Sequence, residues 1–191
     1  MSALTLEVQA HRHRLGIKGP RAAEWLKANG IAIPMTPNTW TPSDQLSCDV
    51  LVARLGTSEF FLEDGAAGAT LGRVAPLLDQ NPPGVYPVMR EDWGFVLDGP
   101  GVHEVLAQVC NVNFAALDLD SHPVIMTLMI GVAVLVVPQG AAQPRYQADE
   151  SSDPAGRRYR IWCDPTFGPY MGESLGAVVI ECGGSCTGVS S

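Results

Sequence analysis

Charge is the property this sequence has least of. Asp, Glu, Lys and Arg supply 17% of its 191 residues, against about 25% in typical domains. What charge there is runs acidic, with a formal net of −8. That balance argues against nucleic acid or an anionic membrane surface as the main partner, because both are met with clustered Lys and Arg. The nearest approach to a basic stripe, Arg157, Arg158 and Arg160, reads as the solvated start of a strand. A membrane-length apolar run is missing too: the most apolar stretch, Pro123–Pro138 (PVIMTLMIGVAVLVVP), falls short of the roughly 20 residues a spanning helix needs. The five cysteines are odd in number and scattered (Cys48, Cys110, Cys163, Cys182, Cys186), so they form no disulfide framework and point to a reducing compartment. The opening MSALTLEVQA has no basic start followed by an apolar core. The expectation is a soluble cytoplasmic protein. No GxSxG, Walker loop or GxGxxG after a strand occurs either.

Glycine and proline, by contrast, are plentiful, at 20 and 15 residues. Together with sparse charge they suggest that part of the surface lies against a partner. The centre of Pro123–Pro138 is rich in β-branched residues, which fit a pleated surface and lose rotamer freedom in a helix. It reads as two buried strands, Val124–Ile130 and Val132–Val137, meeting near Gly131. Alternation at Leu4, Leu6 and Val8 predicts a first strand, followed by a solvent-facing His11–Arg14 connection. Gly19-Pro20 and Gly99-Pro100 each open a helix, Arg21–Asn29 and Val102–Cys110, which hints at an internal duplication. A loop covers Pro34–Pro42, and hairpins are expected over Asp49–Leu62 and over Val85–Leu97, with Glu91-Asp92 as the second turn. A helix is expected over Ala69–Gln80, interrupted near Gly72 and Pro76. Gln139–Gly156 reads as a polar surface excursion, Tyr159–Cys163 as a strand, and Thr166–Leu175 as a helix broken at Gly168-Pro169. Ala177–Ile180 could add a strand, and residues 183–191 form a small polar, flexible tail. Hairpins outnumber parallel crossovers in this order. The fold class is α+β with antiparallel sheets and helices, arranged as two ferredoxin-like halves, 1–82 and 83–181.

Each chemical candidate has a plainer reading beside it. Cys182 and Cys186 with Cys163 lack the second ligand pair that zinc requires, so free thiols are expected. His11 and His13 share one strand face but make only two ligands. His103 is expected on the solvated face of its helix, and His122 in a turn before Pro123. Cys110 and Cys163 are expected to be buried rather than nucleophilic. Gly65–Ala69 reads as a turn. Asp92, Asp118 and Asp120 are carboxylates with nothing to pair them. Trp40, Trp93, Trp162 and Tyr170 read as core or interface anchors. No self-contained active site is visible.

Five stretches taken together do resemble a known family: Gly16–Leu26 (GIKGPRAAEWL), Val52–Leu62 (VARLGTSEFFL), Trp93–Cys110 (WGFVLDGPGVHEVLAQVC), Met126–Val136 (MTLMIGVAVLV) and Tyr159–Tyr170 (YRIWCDPTFGPY). Their order and spacing are similar to the gamma subunit of heterotetrameric sarcosine oxidase and to the corresponding small subunit of N-methylglutamate dehydrogenase. The resemblance spans nearly the whole chain. It implies a fold like the aminomethyltransferase (T-protein) of the glycine cleavage system. It further implies partnership with alpha, beta and delta subunits, with FAD, FMN, NAD and tetrahydrofolate held by alpha and beta and zinc by delta. The implied reaction is oxidative demethylation of an N-methyl amino acid, with the one-carbon unit passed to tetrahydrofolate. The family commonly has Arg or Lys in the strand opening the central hairpin, where this chain has Met126-Thr127-Leu128-Met129, so no anion-binding role carries over to that strand. No catalytic residue carries over either. The expected role is a non-catalytic structural subunit, the alternative a stand-alone folate-binding or aminomethyltransferase-like protein. Trp162, Phe167 and Tyr170 are the candidate partner-interface residues.

Overall fold

A computed structural model describes residues 3–10, 12–41, 50–65, 67–139 and 157–188. His11, Cys48 and most of the Gln139–Gly156 excursion lie outside the described residues. The chain forms two compact units, one of His11–Glu91 with Ser121–Val124, the other of Met1–Ala10, Asp92–Asp120 and Ile125–Ser191. This differs from a division at residues 82 and 83. The strand at Tyr86–Val88 hydrogen-bonds into the first unit's sheet, and the N-terminal strand into the second's.

In chain order the strands and helices are β1 (Thr5–Val8), β2 (Arg14–Lys18), α1 (Ala22–Ala28), β3 (Thr39–Thr41), β4 (Val50–Arg54), β5 (Glu59–Asp64), α2 (Ala69–Val74), β6 (Tyr86–Val88), β7 (Trp93–Asp98), α3 (Val102–Val109), β8 (Ile125–Met129), β9 (Val132–Gln139), β10 (Arg158–Cys163), α4 (Gly168–Glu181) and β11 (Ser185–Thr187). The first unit's sheet runs β3-β4-β5-β2-β6 and is antiparallel throughout. Its core gathers Ile17, Leu26, Val52, Phe60, Leu62 and Val74 from the sheet and both helices. The second sheet runs β11-β1-β7-β10-β9-β8, antiparallel except for the β1–β11 edge pair. Leu6, Phe95, Leu106, Val136, Ile161 and Leu175 meet in its core.

The two units share one connectivity. Read as strand, helix, hairpin, strand, helix, strand, β2-α1-β3-β4-β5-α2-β6 and β7-α3-β8-β9-β10-α4-β11 each fill the 4-1-3-2 order of a split βαβ fold, with an extra edge strand before strand two. The second unit differs by inserting β1 between β11 and β7. The Gly-Pro pairs occupy equivalent places, each between the first strand and first helix of its unit. Both glycines are in the left-handed half of backbone space, Gly19 at φ 128° and Gly99 at φ 109°. A Cβ on Gly19 would strike the carbonyl of Gly84, and one on Gly99 the carbonyl of Ala3, in each case at the entry to the neighbouring antiparallel strand.

Several local expectations give way to pairing. Arg14 begins β2 rather than a connection, since Arg14–Lys18 finds partners on both sides, in β5 and β6. Thr39–Thr41, flanked by Pro37 and Pro42, is a strand at the edge of its sheet, paired with β4. Val85–Arg90 and Trp93–Leu97 are not a hairpin: β6 pairs with β2, and β7 with β1 and β10. Ala69–Gln80 is helical at first but tightens into a 3-10 turn over Ala75–Gln80, with Pro76 near its start. Gly168-Pro169 starts α4 instead of breaking it, and Ala177–Ile180 is its helical end rather than a strand. Within the tail, Ser185–Thr187 is ordered as β11 by its parallel pairing with β1.

The central hairpin is present, closed by Ile130 and Gly131 at φ 52° and 79°, the left-handed pair a two-residue turn requires. Only one of its strands is buried as expected. β8 is the edge of its sheet, and Met126 and Leu128 face outward and exposed. No helix among the described residues is long and apolar enough to cross a membrane.

Candidate functional site

The three proposed anchors part company. Trp162 is buried on β10, with the Arg160 guanidinium 5.6 Å from its ring centroid. Phe167 and Tyr170 are each 48% exposed. Asp164 caps the 3-10 turn Pro165–Phe167 by accepting from Thr166 N at 2.9 Å and Thr166 Oγ1 at 2.5 Å. Those bonds, the side-chain one foremost, hold its carboxyl below the usual range. α4 then begins at Gly168, where a Cβ would run into the Trp93 ring. Tyr170 reaches back from the first turn and donates its hydroxyl to Ile130 O at the hairpin end, 3.3 Å away.

Cys163 is a buried thiol. Burial first, then the negative charges of Asp92 and Asp164, push it up to about 12. Since the thiolate is the nucleophile and the metal ligand, Cys163 is disarmed for either task at neutral pH. Cys186 is likewise raised by burial. Cys182 accepts a 3.4 Å hydrogen bond from Gln108 Nε2, and Cys110 Sγ donates to Leu128 O at 3.3 Å. Cys110, Cys163, Cys182 and Cys186 are all free. Among the described residues no group of three His, Cys, Asp or Glu side chains could hold a metal ion.

His103 is not the solvated side chain that its helix position suggests. Its Nε2 lies 2.8 Å from the hydroxyl of fully buried Tyr159 on β10, and the rings meet edge to face. Burial raises the Tyr159 hydroxyl, partly offset by a hydrogen bond from Arg157 and its charge. His103, Arg157 and the Gly99–Gly101 turn line a cavity of about 220 Å³ at the start of α3. In the first unit, Arg14, expected in a solvent-facing connection, instead forms a buried ion pair with Glu63. Neither pairing had a local signal, because the partners stand 56 and 49 residues apart. His13 is exposed beside Gly68, and His122 packs edge to face on Trp40. Gly68 N bonds to Gly65 O, closing the expected turn, and the buried carboxylate of Asp64 accepts from Gly65 N and Leu71 N.

Asp118 accepts from Asp120 N and Asp164 from Thr166. Neither these two nor Asp92 line the cavity at α3. They are also absent from a pocket of about 90 Å³ between Trp93 and α4, and from one of about 190 Å³ between Trp25 and Pro82-Pro83. All three spaces are smaller than the roughly 300–1,000 Å³ of small-molecule sites.

No family model matches the chain, and no curated protein sequence matches it. Solved structures do. A chain of the heterotetrameric sarcosine oxidase from Corynebacterium sp. U-96 superposes with a TM-score of 0.67 at 21% identity, over 93% of this chain and 84% of that one. Aminomethyltransferase T of the glycine cleavage system from Bartonella henselae superposes with a TM-score of 0.59 at 16% identity. There the match takes in 91% of this chain but only 45% of the aminomethyltransferase. The likeness is one of fold: mixed α+β, with two sheets and four helices in the aminomethyltransferase-like arrangement.

Proposed function

We propose that this chain is a non-catalytic structural subunit, of the gamma type, in a multi-subunit flavin-dependent oxidoreductase. The complex would oxidatively demethylate an N-methyl amino acid such as sarcosine or N-methylglutamate and hand the one-carbon unit to tetrahydrofolate. The observation that supports this reading is the reach of the sarcosine oxidase match, 93% of one chain on 84% of the other. A correspondence that nearly exhausts both chains is what one subunit standing for another would produce. The cofactors FAD, FMN, NAD, tetrahydrofolate and zinc belong, on this reading, to alpha, beta and delta partners. The chain's own chemistry is in keeping with that division: Cys163 is held as a thiol, and Asp118 and Asp164 cap backbone. The free thiols suit a cytoplasmic complex.

The test is co-expression with flavin-bearing alpha and beta subunits of the sarcosine oxidase type, purified through a tag on this chain. Stoichiometric co-elution of flavin-bearing subunits, with demethylation of sarcosine or N-methylglutamate, is the expected result. A chain that always purifies alone would sink the proposal.

A second reading, a stand-alone folate-binding or aminomethyltransferase-like protein, draws on the likeness to aminomethyltransferase T. Titrating tetrahydrofolate into the isolated chain decides it: a flat heat and fluorescence response removes this reading.

A further inference from the structure

The net charge of the chain is confined to one unit. Met1–Ala10, Asp92–Asp120 and Ile125–Ser191 carry twelve acidic and four basic residues, whereas the other unit carries eight of each, so the entire −8 belongs to the first group. On that acidic unit the start of α4 presents an exposed series at three-residue spacing: Asp164, Phe167, Tyr170, Glu173. The two aromatics are thus bracketed by carboxylates. Pro165 and Pro169 stiffen the backbone around Phe167, the Asp164 cap fixes the turn, and the Tyr170 hydroxyl is tied to Ile130 O. Rings held in place before binding lose little entropy on docking, which is what makes an aromatic an effective anchor.

We propose that Phe167 and Tyr170, flanked by Asp164 and Glu173, form the surface through which this chain docks on a partner protein that offers an apolar recess rimmed by Lys and Arg. The inference rests on the subunit reading above and names the docking face. Charge complementarity selects the occupant. A second copy would bring Asp164 and Glu173 against their own kind, and nucleic acid or an anionic lipid surface would be repelled by the same carboxylates.

The experiment uses the full chain co-purified with its flavin-bearing subunits, with assembly followed by analytical ultracentrifugation across a salt series. F167A/Y170A is expected to weaken assembly at least tenfold. D164N/E173Q, which keeps a capping side chain at position 164, should flatten the salt dependence and slow association several-fold. Far- and near-ultraviolet circular dichroism checks that each variant is folded. Wild-type assembly matched by folded F167A/Y170A and D164N/E173Q variants overturns the docking face and leaves the subunit reading standing. Failure of the wild-type chain to assemble with those subunits overturns both. A self-dimer of the isolated chain that F167A/Y170A dissolves overturns the choice of occupant and with it the proposal.

Discussion

Arg14 Nε donates to Glu63 Oε2 at 2.6 Å, across the β2–β5 ladder, with 1% and 0% of the two side chains exposed. The two residues face each other in the register, so the pair locks β2 against β5 as well as neutralising itself. Removing one member leaves a buried charge without its counterion, which costs about 3–5 kcal/mol. Glu63→Ala should therefore lower unfolding stability by that amount in a urea titration. Joint replacement by apolar residues, Arg14→Met with Glu63→Leu, should recover most of the loss.

Cys163 makes stability fall on the alkaline side. Its folded value, about 12, exceeds the ordinary 9.0, so between those limits the unfolded chain has released a proton that the folded chain keeps. Stability contributed below pH 9 is lost as pH rises toward 12, with a slope of up to about 1.4 kcal/mol per pH unit. Tyr159 and Cys186 are raised as well and add to the same slope. Cys163→Ala should flatten the curve when urea midpoints are compared from pH 8 upward.

The hydroxyl of Tyr159 meets His103 in the interior of the second unit. Tyr159→Phe keeps the packing against Phe114 and removes the hydrogen bond, so a loss of about 1 kcal/mol follows. For a chain of this size that corresponds to a melting temperature lower by roughly 2–4 °C. The imidazole NMR signals of His103 should move in the same variant, which reports the lost hydrogen bond directly.

Two glycine substitutions should move stability in opposite directions. Gly99→Ala forces a side chain into a left-handed position against the Ala3 carbonyl and should cost about 1–3 kcal/mol. Gly72 lies in the interior of α2 with nothing within 4 Å of an added Cβ, so Gly72→Ala should stabilise by about 0.4–1 kcal/mol. Calorimetric melting of the two variants checks both signs.

Local chemistry was enough to read most elements of this protein and their class. Alternation at Leu4, Leu6 and Val8, the β-branched run before and after Gly131, and the Gly-Pro pairs before α1 and α3 each act within a few residues, so strand, hairpin and helix starts were legible from sequence alone. The antiparallel α+β class followed from hairpins outnumbering crossovers. Which strands pair was a different matter, because hydrogen-bond partners at large separation leave no local trace. β6 looked joined to β7 and instead pairs with β2, Arg14 looked solvated and is buried on Glu63, and His103 looked free and meets Tyr159. The sharpest case is the apolar Pro123–Pro138 stretch. Its composition cannot tell an inner strand from an edge, and only the order β10-β9-β8 decided that Met126 and Leu128 face outward.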